Sequence, residues 1–329
     1  MITVMSRWCH GGLVGRLRTI IVLAMAFGCA TFAMSADRKK NDTLPAQFER
    51  PMNFVVVRSS AGYCEPVCPE WIYGEGQIVS KTPAAFKKVL KQAGDRRLPL
   101  IITSPGGDVD AAMALGRLIR KNEMSVEVGY TRFVSCRPTD ASCQPDGARK
   151  GEYYGTVAVA GSFCWSACPL ALAGGEKRYS SRWSYTGVHQ VTTVYQRQKI
   201  YYKERYEIVD GKKKVVSREE IRRKDLGPKS STKMPKSTRK ALTSYLKDMG
   251  LDLAFLDLMQ SAPPDKIRTL EPVEMLRIGL ITELSATDML ASPQACLTPD
   301  RPNNCVLLPT TSPASSLTTL ELEADKLRH

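Results

Sequence analysis

The chain has 329 residues, 43% of them hydrophobic, and a formal net charge of +14. That composition supplies a sizeable core for one large domain or two small ones and excludes a wholly disordered chain. The charge is local: residues 196–240 hold 16 Lys/Arg and 6 Asp/Glu, a net of +10, and once the three arginines of residues 1–36 are also set aside the rest of the chain is nearly neutral.

Residues 1–36 carry Arg7, Arg16 and Arg18 and no acid, and an uncharged apolar run fills 19–36. Ala33, Ser35 and Ala36 end it with small residues. This is the pattern of a secretory signal peptide; the alternative is an uncleaved anchor, because ~18 apolar residues just span a bilayer. The expected location is periplasmic or secreted, or at a membrane through residues 19–36. Beyond this segment eight cysteines stand in close pairs: Cys64 with Cys68, Cys136 with Cys143, Cys164 with Cys168, and Cys296 with Cys305. An even set behind an export signal reads as disulfides of an oxidising compartment. No pair has a second histidine nearby or reads Cys-x-x-Cys, so no metal is expected, and no cofactor motif stands out.

Residues 37–51 are polar and read as a linker. Residues 53–58 form a β-branched run, a strand, and 71–79 hold a second strand after the Cys64–Cys68 loop. Thr82 as N-cap, Pro83 in the first turn and Gly94 as stop mark a helix. Residues 98–103 are almost wholly apolar, as in a strand covered on both faces. Ser104-Pro105-Gly106-Gly107 breaks that strand, and Asp108 can cap a helix whose stripe is Ala112, Leu115, Leu118 and Ile119. Residues 125–128 read as a strand. The alternation implies a right-handed, mostly parallel α/β arrangement. Residues 131–151 interrupt it as a polar, cysteine-bearing loop.

A strand at 156–160 resumes the sheet. Residues 164–173 read as a helix starting near Ser166, because Pro169 is tolerated only in a first turn. Residues 177–189 supply one or two short strands. The basic segment 196–240 reads as a surface excursion with a hairpin turn at Asp210-Gly211. Helices come next at 239–249 and 251–259, split at Gly250, then a helix at 270–278 and a short strand at 279–281. Beyond Ser292 the Pro-, Ser- and Thr-rich chain reads as a tail, unstructured apart from the Cys296/Cys305 loop.

Three features carry chemistry. The Gly106-Gly107 turn after a strand can present backbone N–H groups to an oxyanion, although such a pair is usually just a tight turn. Ser166, at a strand-to-helix junction between Cys164 and Cys168, stands where a nucleophile or an N-cap would. His189 is the internal histidine of a chain whose others are His10 and His329.

Taken together and in order, Gly-Gln-Ile-Val, Ser-Pro-Gly-Gly-Asp-Val-Asp, Cys-Trp-Ser-Ala-Cys-Pro-Leu and Gly-Val-His-Gln resemble the Clp protease/crotonase superfamily. The nearest likeness is to its periplasmic, export-signal-bearing Clp-protease-like proteins. The resemblance spans residues 76–189, with a further match at 270–281. It implies a repeated ββα spiral over residues 52–290, with insertions at 131–151 and 196–240 and a tail at 291–329. It also implies Ser166 as nucleophile, His189 as base, and the N–H groups of Gly107 and Ala167 as the oxyanion hole. The family's third member is an aspartate before the final helix; Asp265 is nearest, although Ile267 falls closer to the expected position. A thiolate at Cys164 or Cys168 is a third option for the nucleophile, and either cysteine could pair elsewhere, for example with Cys64 or Cys68.

The expected activity is exported serine hydrolysis, with a peptide or protein as substrate. The alternative is a non-catalytic binding protein on the same fold, its 196–240 segment meeting an anionic partner such as membrane phospholipid. Nucleic acid is not expected behind an export signal. A homo-oligomer stays open, and a ring is not assumed, because the basic insertion falls where Clp subunits make ring contacts.

Overall fold

The computed structural model describes residues 44–285 and 288–308; the signal-like segment and the end of the tail lie outside them. Chain order is α1 (Ala46–Glu49), β1 (Asn53–Ser59), β2 (Val67–Glu75), α2 (Thr82–Ala93), β3 (Leu100–Thr103), α3 (Val109–Lys121), β4 (Val126–Val128), β5 (Tyr130–Phe133), β6 (Glu152–Ala158), β7 (Phe163–Trp165) and α4 (Cys168–Ala173). Then come β8 (Arg178–Ser181), β9 (Tyr185–Val188), β10 (Thr193–Val209), β11 (Lys212–Ser231), α5 (Lys236–Asp248), α6 (Ala254–Gln260), β12 (Arg268–Thr269), α7 (Pro272–Arg277), β13 (Glu283–Ser285) and β14 (Cys305–Leu307).

The fold is mixed α/β with a mostly parallel central sheet, ordered β13-β8-β4-β3-β2-β1-β6-β5, with β14 on β2. β1–β6, β2–β3, β3–β4, β4–β8 and β8–β13 are parallel; β1–β2 and β5–β6 are antiparallel. The apolar run in β3 is buried along its whole length, as a strand covered on both faces must be. A smaller sheet, β12-β9-β7, joins the large one through a Ser104↔Cys164 bridge. The core runs between the large sheet and α2, α3, α4 and α5, through Phe86, Leu115, Leu170 and Leu246.

Several local expectations change. Thr82 does not cap α2; its hydroxyl turns back to accept from the Val79 N–H. Asp108 does cap α3, accepting from Ala111 at 2.7 Å. β2 begins earlier and stops at Glu75, where Gly76 turns the chain at φ 115°. β5 lies where a polar loop was expected, and the loop pinned by Cys136–Cys143 begins only after Phe133. Residues 279–281 are not a strand: Gly279 at φ 73° ends the helix, and the strand comes later, as β13. Gly250, at φ 73°, does part the two helices α5 and α6.

All four close cysteine pairs are bonded, Cys64–Cys68, Cys136–Cys143, Cys164–Cys168 and Cys296–Cys305. From the last of them the chain runs into β14, antiparallel to β2. Beneath it sits a buried ion network. Glu70 has no exposed side-chain surface and meets three guanidiniums: Arg58 at 2.9 Å, Arg149 at 2.7 Å, and Arg96. A buried carboxylate is tolerated only when so compensated. Replacing Glu70 with alanine leaves three clustered cations with one partner fewer. Urea unfolding at pH 7 should show a loss of roughly 3–5 kcal/mol.

Candidate active site

The strand ends β3, β7 and β9 converge. β7 and β9 are parallel, with Trp165 opposite Gly187, and the Ser104↔Cys164 bridge sets β3 parallel to β7. Their C-terminal ends therefore point the same way and deliver the Ser104–Gly107 turn, Ser166 and His189 to one place. The carboxyl ends of parallel strands are where α/β folds place their sites.

Ser166 is not in the first turn of a helix. It stands between β7 and α4 with φ 60°, the left-handed region that side-chain-bearing residues rarely enter. Its N–H donates to the Gly187 carbonyl at 2.9 Å. The Cys164–Cys168 disulfide spans it, joining the last part of β7 to the start of α4, with both cysteines fully buried. A backbone in that region costs about 1–3 kcal/mol and persists only when its surroundings hold it. Here a disulfide and a buried helix do so.

Ser166 Oγ lies 2.6 Å from His189 Nε2. Both residues are half-buried. Burial is the main influence on the imidazole and lowers its pKa below the ordinary histidine value of 6.5; the Pro264 carbonyl acts weakly the other way. Nδ1 is buried and makes no hydrogen bond of regular geometry. Asp265 is exposed and makes no hydrogen bond to the ring. The structure thus brings Ser166 and His189 together and does not bring Asp265 to them. The segment that carries it is nonetheless tied to the histidine strand, because the Gln190 N–H donates to Ala262 O at 3.0 Å.

The Ser104–Gly107 turn presses on the serine. Ser104 Oγ accepts from the Gly106 N–H at 3.1 Å and donates to Gly76 O at 2.7 Å. A Cβ on Gly106 would stand 2.4 Å from Trp165 O, 2.6 Å from Ser166 Cβ and 2.7 Å from Ala167 N. Nothing larger than glycine fits without moving the nucleophile segment. The N–H groups of Gly107 and Ala167 donate to no carbonyl or side chain among the described residues.

Sequence reasoning missed the close contact made by Gly106, which it treated only as a turn residue. The four cysteine bonds remove the thiolates: Cys164 and Cys168 are spent on each other. Among the described residues no group of three or more His, Cys, Asp or Glu could hold a metal. A cavity of about 580 Å³ lies at the opposite end of the sheet, around Pro99, Ser125 and Lys177, which precede β3, β4 and β8.

No protein-family model matches the chain, and no curated protein matches it. Among solved structures it is similar to the 1510-N membrane-bound stomatin-specific protease, at 14% identity and TM-score 0.35 over 64% of this chain and 75% of that one. A second structure of that protease, in complex with a substrate peptide, aligns at 15% identity and TM-score 0.36 over 65% and 73%. Overlap this loose leaves the chemistry to be read from the site itself.

The geometry has two testable consequences. A base must be neutral to accept a proton, so the rate of Ser166 modification should rise with pH through an acid-limb midpoint below 6.5, as burial favours the neutral imidazole. Gly106→Ala should lower that rate by on the order of 10²-fold or more, since displacement by about 1 Å suffices for such a loss. Circular dichroism would show the variant folded.

Proposed function

We propose that this protein is an exported serine hydrolase, a peptidase in its simplest form, working through a Ser166–His189 dyad. The observation that carries the reading is the 2.6 Å contact between Ser166 Oγ and His189 Nε2 on a nucleophile held at φ 60°. A serine serving only as a helix cap would need neither. The order of motifs in the sequence, and its resemblance to the Clp protease/crotonase superfamily, favour the same reading. Four disulfides support an oxidising compartment.

In this mechanism His189 Nε2 takes the Ser166 proton as Oγ attacks an acyl carbonyl. The oxyanion of the tetrahedral intermediate accepts hydrogen bonds from the Gly107 and Ala167 N–H groups. Collapse breaks the bond to the leaving amine, which receives the proton from His189. Water then attacks the acyl-serine, giving its proton to His189, and the acid departs as Ser166 is restored. Losing one oxyanion donor in such sites costs about 10²–10³ in rate. His189 Nδ1 has no hydrogen-bond partner among the described residues, so the imidazolium formed in the reaction gains no ion pair behind the ring. Asp265 takes no part.

A fluorophosphonate probe tests this. Wild type should label at Ser166, Ser166→Ala should not label, and His189→Ala should slow labelling by at least about 10²-fold. Asp265→Asn should match wild type within about twofold, as an exposed bystander would. Folded wild-type protein that does not label would refute the hydrolase reading; a large loss in Asp265→Asn would restore the triad.

A further inference from the structure

β10 and β11 form a long ribbon attached to the body only at its root, four residues beyond His189. Its turn is Asp210-Gly211, both at positive φ as a tight hairpin requires. Along 17 residues β10 reaches roughly 55 Å, and almost every side chain is exposed. An isolated two-stranded ribbon is at best marginally stable in water, so its sequence should show what it meets.

The two faces differ. The register shifts place the extra residues on β11, so β10 alternates regularly. Its even positions present Val194, Ile200, Tyr202, Tyr206 and Ile208. Most charges on that face are paired, Arg218 with Glu204 and Arg223 with Glu220, leaving Lys213 and Asp225 outside any salt bridge. Its odd positions present Arg197, Lys199, Lys203 and Arg205, and across from this row stand Arg222 and Lys224. Further lysines of β11 extend the row at both ends. The acids on this face are Glu207 and Glu219, and none of its cations makes a salt bridge among the described residues. Tyr195 and Tyr201 lie on the same face, the second beneath Lys199 and Arg222.

We propose that this cationic face of the ribbon lies on an anionic phospholipid surface. Unpaired cations along an extended line match a plane of anionic headgroups, whereas a folded acidic partner would curve away from such a length. Tyrosines interleaved with lysine and arginine suit the headgroup depth, where one end of the ring is apolar and the other wet. The ribbon begins four residues beyond His189, which contacts Ser166, so the contact would hold the site within reach of the bilayer. The proposal stands whether or not Ser166 is catalytic.

Sedimentation of the full chain with vesicles tests it, comparing zwitterionic vesicles with vesicles containing about one-third anionic phospholipid. The apolar run at 19–36 would bind both, so the difference between them reports charge. Each Lys or Arg near such a surface is worth about fivefold in partitioning. Lys199→Gln with Lys203→Gln and Arg205→Gln should therefore lower the anionic preference roughly 100-fold. The control Lys213→Gln with Arg218→Gln and Arg223→Gln removes the same charge from the other face and should change it far less. All these residues are exposed, and unaltered circular dichroism would show that each variant is folded. Equal losses in the two triple variants, equal binding to both vesicles, or tight binding to duplex DNA or polyglutamate with none to anionic vesicles would overturn the proposal.

Discussion

The site depends on a lack of room. Between the Gly106 backbone and the Trp165–Ala167 backbone there is no space for a single carbon atom. Gly106 therefore fixes how close the turn after β3 comes to Ser166, and the turn in turn fixes where the Gly107 N–H stands. Ser166 accepts a left-handed backbone at a cost of about 1–3 kcal/mol. Its anchors are the Cys164–Cys168 bond on either side, the Gly187 carbonyl on its N–H, and a buried helix after it. Remove the close approach and the hydroxyl has no reason to face His189.

Much of this was legible in the residues. Buried parallel strands betray themselves by unbroken apolar runs, as β3 does, and helices by caps and stripes, as α3 does. The cysteine pairs were close enough in sequence to name. What escaped lies in the backbone and in long-range pairing. β5 is a short edge strand with half its side chains wet, so its pattern reads as loop. Thr82 looks like a cap because composition cannot show which way its hydroxyl turns. Residues 164–173 look helical throughout, yet β7 takes Cys164 and Trp165 because β9 is there to pair with them. That tertiary pairing moves Ser166 from a helix into a turn, where its hydroxyl meets His189 and is not consumed in capping.

Asp265 shows the limit of carrying a family pattern by sequence position. The loop at 261–267 reaches the chain just after His189, through Gln190 N–H to Ala262 O, but leaves Asp265 exposed and without a hydrogen bond to the ring. That segment puts no hydrogen bond on Nδ1. The basic excursion is the converse case. Its charge was plain in the sequence, but the segregation of unpaired cations from paired ones emerges only from the register of β10 on β11. The Ser166–His189 contact and the ribbon share one local origin, since β9 ends at Val188, His189 follows it, and the ribbon begins four residues further on.

Whether Ser166 is a nucleophile served by His189 and by the N–H groups of Gly107 and Ala167 is tested most directly by a crystal structure of the protein after reaction with a fluorophosphonate. The expected result is phosphorus bonded to Ser166 Oγ, a phosphoryl oxygen within about 2.7–3.1 Å of both N–H groups, and no carboxylate on His189 Nδ1. Phosphorus on another residue, or on Ser166 with its oxygen turned to solvent, would contradict it.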